Sequence, residues 1–124
     1  MNVRELLQSK KEAVITIDAE DTIGAAAHKM SANKIAALVV MKDDAPIGII
    51  SEKDIVRTLA DDGPQAGRRV ISSLPSTGLE GIAPEATLKQ AMSLMTYSRR
   101  RHLMVTEGAR LVGILSLEIG RAHV

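Results

Sequence analysis

Apolar positions along this chain switch between two spacings, and the switch happens twice in the same order. A short β-rich run at residues 14–17 precedes Ile23, Ala26, Ala27 and Met30, which fall at i, i+3, i+4 and i+7. That stripe predicts an amphipathic helix, opened by Thr22 as N-cap. Two more β-rich runs, residues 37–41 and 47–51, flank Lys42-Asp43-Asp44-Ala45-Pro46 and predict a hairpin. A second helix is expected from Ser51, carrying Ile55, Val56 and Leu59. The series then repeats: a run at 79–82, a helix opened by Thr87 with the stripe Leu88, Ala91, Met92 and Met95, and strands at 102–106 and 111–116. Thr87 and Gln90 have the spacing of a capping box, whereas Ala25 leaves Thr22 without that reciprocal partner.

The two copies align without a gap. Residues 14–59 fall on 79–124 at a constant offset of 65 (113 − 48), so that Glu20 meets Glu85, Met30 meets Met95, and Gly48-Ile49 with Ser51 meets Gly113-Ile114 with Ser116. A unit this long, present only twice, is not a solenoid. It predicts an α/β fold made of two β-α-β-β-α repeats about a pseudo-twofold axis, in one compact module. The first repeat is assigned to residues 1–62 and the second to 63–124. Residues 2–9 and 70–74 are each expected to form a short leading helix, and the breaker-rich stretch 61–67 a linker.

Composition narrows the functions this fold can serve. The chain has 124 residues, 45% of them hydrophobic and 25% charged, with a net charge of +1. That charge supplies no field for DNA or an anionic membrane. Tyr97 is the sole aromatic residue, which disfavours base-stacking nucleic-acid modules. Cysteine is absent, so disulfides and thiolate metal sites are excluded. No apolar run approaches the ~20 residues that span a bilayer, and the first residues lack a signal core; a cytoplasmic location without membrane contact is expected.

The first copy reads VITIDAEDTIGAAAHKMSANKIAALVVMKDDAPIGIISEKDIVRTLA and the second GIAPEATLKQAMSLMTYSRRRHLMVTEGARLVGILS. This ordered set in tandem resembles the cystathionine-β-synthase (CBS) domain family, as a stand-alone pair covering nearly the whole chain. The resemblance implies a regulatory module whose clefts between repeats bind an adenosine-containing ligand, AMP first, then NAD or ATP. It implies no required cofactor, assembly as a homodimer, and signalling to a separate effector protein.

The resemblance also assigns residues. The family's ribose signature, Ser/Thr-x-x-Asp, is matched by Ser51-Glu52-Lys53-Asp54. An ionised carboxylate suits ribose because it only accepts and both hydroxyls donate. The same two residues also fit a helix cap, Ser51 at the N-cap and Asp54 in the first turn, and the two roles are compatible. Val14, Ile15 and Thr16 beside Ile35, Ala36 and Ala37 would line the base pocket; taken singly, each also reads as ordinary core. Phosphate contacts fall to Arg101 and His102, then Arg100, with Lys53 and Arg57 as further candidates that also read as plain surface charge. The second copy departs from the signature. Ser116-Leu117-Glu118-Ile119 puts Ile119 where Asp should stand, and a ribose hydroxyl left unpaired there would cost ~1–3 kcal/mol. Glu118 lies one residue away, which turns it about 100° around the helix. One competent site and one weakened or empty one are therefore expected.

Catalysis finds no support in the residues. Ser51 has no neighbouring base, no G-x-G-x-x-G is present, and His28, His102 and His123 lack partners at metal-ligand spacing. His28 lies off the helical stripe and is expected at the surface. Two other functions compete with a nucleotide sensor: a ligand-independent dimerisation or interaction subunit with a decayed site, and, more weakly, nucleic-acid binding through Arg99–Arg101.

Overall fold

A computed structural model of the chain describes residues 1–10, 14–75 and 81–116. The elements run α1 (Val3–Lys10), β1 (Thr16–Asp18), α2 (Ile23–Asn33), β2 (Ala37–Lys42), β3 (Ala45–Ser51) and α3 (Glu52–Asp62), followed by two 3-10 segments, Gly63–Arg68 and Ile71–Ser73. The second series is β4 (Gly81–Ile82), α4 (Leu88–Ser98), β5 (His102–Glu107) and β6 (Arg110–Ser116). Two three-stranded sheets result, β1-β2-β3 and β4-β5-β6, each with a parallel first pair and an antiparallel second pair. The duplication extends to irregularities. Both hairpins shift register at equivalent points, Val40/Met41 and Val105/Thr106. Both helices before a hairpin end on a left-handed cap, Lys34 (φ 55°) and Arg99 (φ 57°).

Local chemistry explains the helix starts. Thr22 Oγ1 accepts from Ala25 N at 3.1 Å, and Thr87 and Gln90 form the reciprocal box, at 3.0 and 2.9 Å. The first hairpin is tighter than the sequence suggests: β2 and β3 extend to Lys42 and Ala45, leaving Asp43 and Asp44 as a two-residue turn with positive φ at both. That is the backbone a right-twisted hairpin prefers, and Asp tolerates it better than most residues.

The chain divides into two compact units, Ile15–Leu79 and the combination of Met1–Val14 with Glu80–Val124. In the first, Ile23, Ala26 and Met30 of α2 pack on Ile17, Leu38, Val40 and Ile50 of the sheet, with Ile71 and the half-buried Leu74 closing the cluster. In the second, Ala91 and Met95 of α4 pack on Leu103, Val105 and Leu115 together with Val3 of α1. The sequence repeats 1–62 and 63–124 are therefore not the packing units. The leading helix joins the core of the second copy, and the segment after α3 stays with the first.

Apolar complementarity causes this exchange, and small residues permit it. A Cβ on Gly113 of β6 would lie 3.0 Å from Leu7 Cδ1, so the bare glycine lets the Leu7 side chain of α1 rest directly on β6, and an alanine there would make that side chain give by a few tenths of an ångström. Arg4 of α1 ties the helix down at 2.6 Å from Glu107 and 3.4 Å from Glu85. Its pKa is raised chiefly by the hydrogen bond and charge of Glu107, with a smaller part from Glu85, against the opposing effect of desolvation. In the other unit, the expected linker is instead the 3-10 segment Gly63–Arg68, with Ala66 buried and Gly67 against Gly24 of α2. Residues 70–74 form a single 3-10 turn, not a helix.

Some expected faces differ. His28 is at the surface as expected. Met92 is exposed, however, and Leu94 takes the packed position in its place. Val56 and Leu59 of α3 are 65% and 56% exposed, whereas Thr58 between them is buried. No helix among the described residues is long and apolar enough to cross a membrane.

Candidate functional site

The start of β1, the start of β2 and the end of β3 share one end of the first sheet, because β1 and β2 run parallel and β3 runs back. Ile15, Thr16, Ala36, Ala37 and Ser51 therefore gather at this end. Ile15 O accepts from Val39 N at 3.2 Å, Ala37 pairs with Ser51, and Ala36 O accepts from Glu52 N at 3.0 Å. Ile35 is half-buried against the core cluster. The side chains at 36 and 37 are small and apolar, Ala36 half-buried and Ala37 buried. Val14 is half-buried and belongs to the N-terminal segment grouped with the other unit.

Asp54 is the most constrained polar group here. Ser51 takes an extended backbone as N-cap of α3 (φ −121°, ψ 169°), which places Asp54 at the third helical position. Asp54 Oδ2 accepts from Ser51 N at 2.8 Å and from Ser51 Oγ at 3.1 Å. The side chain is only 14% exposed, and Oδ1 lies 3.9 Å from Arg57 Nη1, outside hydrogen-bond range. A carboxylate has about four acceptor positions. With Oδ2 engaged twice, Oδ1 retains capacity for two hydroxyl donors, so the geometry is compatible with a cis-diol. Both roles read for these residues, cap and acceptor, are thus available at once. Lys53 and Arg57 are exposed, Arg57 loosely paired with Asp54.

Two residues at this end were missed by sequence reasoning. Thr58, 4% exposed, donates from Oγ1 to Asp54 O at 2.8 Å and so fixes the turn that carries the carboxylate. Lys29 of α2 donates from Nζ to Thr16 O at 2.5 Å. A signal for Lys29 did exist: at the offset of 65 it falls on Leu94, an apolar residue packed against the second core.

Arg100, Arg101 and His102 lie in the other unit, at the entry to β5. Arg100 and His102 are half-buried and Arg101 is exposed. His102 Nδ1 lies 2.9 Å from Ser116 Oγ, across the pair that corresponds to Ala37 and Ser51. The two equivalent serines thus differ in partner: a carboxylate for Ser51, an imidazole for Ser116. Ile119 and Glu118 lie outside the described residues.

Comparison with known proteins gives these geometries a family. The CBS domain family matches residues 3–61 and again 71–118. The chain is 31% identical over 111 residues to the mitochondrial CBS domain-containing protein CBSX3 of Arabidopsis thaliana, across 85% of this chain but only 54% of that protein's length. Among solved structures it is similar to the CBS-domain containing protein ATU1752 of Agrobacterium tumefaciens, with TM-score 0.87, 34% identity and full coverage of both chains. It is also similar to a hexameric CBS-CP12 protein from bloom-forming cyanobacteria, with TM-score 0.80 and 25% identity over 94% of this chain and 67% of that one. With two matched copies over most of its length, this chain belongs to the CBS-domain family, whose tandem members are in general regulatory or signalling modules.

Proposed function

We propose that the chain is a non-catalytic sensory module that binds an adenosine-containing ligand, AMP before NAD or ATP, and reports its occupancy to a separate partner protein. The observation that carries this reading is Asp54, a shielded carboxylate oriented by two hydrogen bonds from Ser51, with no hydrogen-bond donor on its second oxygen among the described residues. Ribose hydroxyls are the natural donors for such a group. Ile15, Thr16, Ala36 and Ala37 at the same sheet end suit the base, and the resemblance assigns phosphate contacts to Arg100, Arg101 and His102. A ligand signals only by binding two states of the protein unequally, so the reading requires a partner that distinguishes them.

Self-association belongs to the same proposal. It is supported by the exposed Val56 and Leu59 on α3 and by the hexameric assembly of the CBS-CP12 relative. Those exposed residues also favour a second reading, an interaction subunit that needs no ligand. Isothermal titration calorimetry with AMP, ADP, ATP, NAD, NADH and S-adenosylmethionine separates the two. One ligand bound per chain, lost in Asp54→Asn, supports the sensor. No heat from any of them, with folded protein, leaves the interaction subunit.

A further inference from the structure

Tyr97 is the most exposed large apolar side chain among the described residues, at 90%. It lies on α4, whose Leu88, Lys89, Met92, Ser93, Thr96 and Tyr97 line one shallow groove. These residues form two ridges at i, i+4 spacing, Leu88-Met92-Thr96 and Lys89-Ser93-Tyr97. The furrow between two such ridges is what receives a ridge of another helix. Tyrosine and methionine are also side chains that protein interfaces concentrate.

The first copy shows how the same face is used within the chain. At the offset of 65, Lys89, Met92 and Tyr97 fall on Gly24, Ala27 and Ala32 of α2. There the segment Gly63–Arg68 rests on the helix, so closely that a Cβ on Gly24 would lie 3.0 Å from Gly67 O. A lysine at that place holds a backbone further off. The face of α4 is therefore built to meet side chains, as another helix presents them.

α3 presents a matching ridge. Glu52, Val56 and Ala60 follow at i, i+4 spacing with Leu59 beside them, and all four are exposed. Charge decides which pairing forms. α4 has Lys89 and no acidic residue, and it ends in Arg99, Arg100 and Arg101. Two α4 faces brought together would oppose like charges, whereas α3 brings Glu52 to Lys89.

We propose that α4 docks α3 of a second copy, so that Val56 and Leu59 of one protomer enter the groove around Met92 and Tyr97 of its partner. The proposal rests on the self-association reading above and names the faces that meet. Such a contact is isologous, α3 of each copy on α4 of the other, so it closes as a dimer and recruits no third copy.

The chain has no cysteine, so introduced thiols report alone. Leu59→Cys and Tyr97→Cys, purified separately and then mixed, should give a covalent dimer with a bismaleimide, and far less of it with either variant by itself. Sedimentation velocity should show the parent as a dimer and Tyr97→Glu as a monomer that melts where the parent does, because Tyr97 is exposed within its own chain. Tyr97→Cys cross-linking as well alone as in the mixture would mean that α4 meets α4 and overturns the proposal. So does a mixture that yields no more covalent dimer than the single variants. If the parent is a dimer and Tyr97→Glu leaves it one, self-association stands and α4 is not its surface. A parent that sediments as a monomer at every concentration removes both.

Discussion

Replacing Asp54 separates its structural role from its ligand role, because the two depend on different properties of one side chain. The cap needs an oxygen that accepts from Ser51 N, now at 2.8 Å; ribose needs a charged acceptor on the other oxygen. Asp54→Asn keeps an acceptor for the Ser51 N–H and loses the charge. Its stability cost is then confined to the helix-dipole interaction, about 0.3–1 kcal/mol. Asp54→Ala removes both bonds from Ser51 and should cost about 1–2 kcal/mol, a fall in Tm of roughly 3–10 °C. Affinity should follow a different order. Each hydrogen bond to a charged group contributes about 1.5–3 kcal/mol, so the Asn variant should already bind at least tenfold more weakly. Thermal melts beside calorimetry with AMP give both quantities. An Asn variant that binds as the parent does, next to an Ala variant that melts lower, would show that Asp54 is a helix cap and nothing more.

The remaining predictions concern the two cores and the surface. Leu38 and Leu103 occupy equivalent, fully buried positions, so Leu38→Ala and Leu103→Ala should each lose about 2–5 kcal/mol in urea unfolding; a loss under about 1 kcal/mol at either would mean that its cluster is not packed as described. Gly113→Ala places a Cβ against Leu7 and should cost about 1–3 kcal/mol, with faster amide hydrogen exchange in α1 than in α2; equal exchange would deny that β6 holds α1. Leu59→Glu changes an exposed side chain and should leave stability within about 0.5 kcal/mol while shifting sedimentation toward monomer; an unchanged oligomer would remove α3 from the contact.

Where the sequence was legible, local rules and tertiary packing asked for the same thing. The duplication, the helix stripes, the Thr22 and Thr87 caps and the hairpins each follow from short-range pattern. The unit boundaries did not, because α1 is joined to its core by Val3, Leu6, Leu7 and Gly113, a contact between distant parts of the chain that no local period encodes. The 3-10 segment Gly63–Arg68 was hidden for a related reason. Its Gly and Pro residues read as breakers, yet the same smallness lets Gly67 approach Gly24 and buries Ala66.

At the candidate site the legible part was Ser51 and Asp54, whose spacing fixes their contact within one helical turn. Lys29 and Thr58 were not legible as site residues, because each acts on a backbone carbonyl, and carbonyls carry no sequence signature. Comparing the repeats does reveal one of them, since Lys29 stands where Leu94 packs. It reveals a second difference as well. Ser51 meets a carboxylate, whereas Ser116 meets His102, which stands where the first copy has Ala37. Exchanging an acceptor-only group for an imidazole changes what a neighbouring hydroxyl can offer a ligand, because a neutral imidazole both donates and accepts. Two sheets with the same backbone therefore end in unlike chemistry. Any difference in ligand preference between the two ends would come from those side chains, because the sheet pairing behind them is the same in both copies.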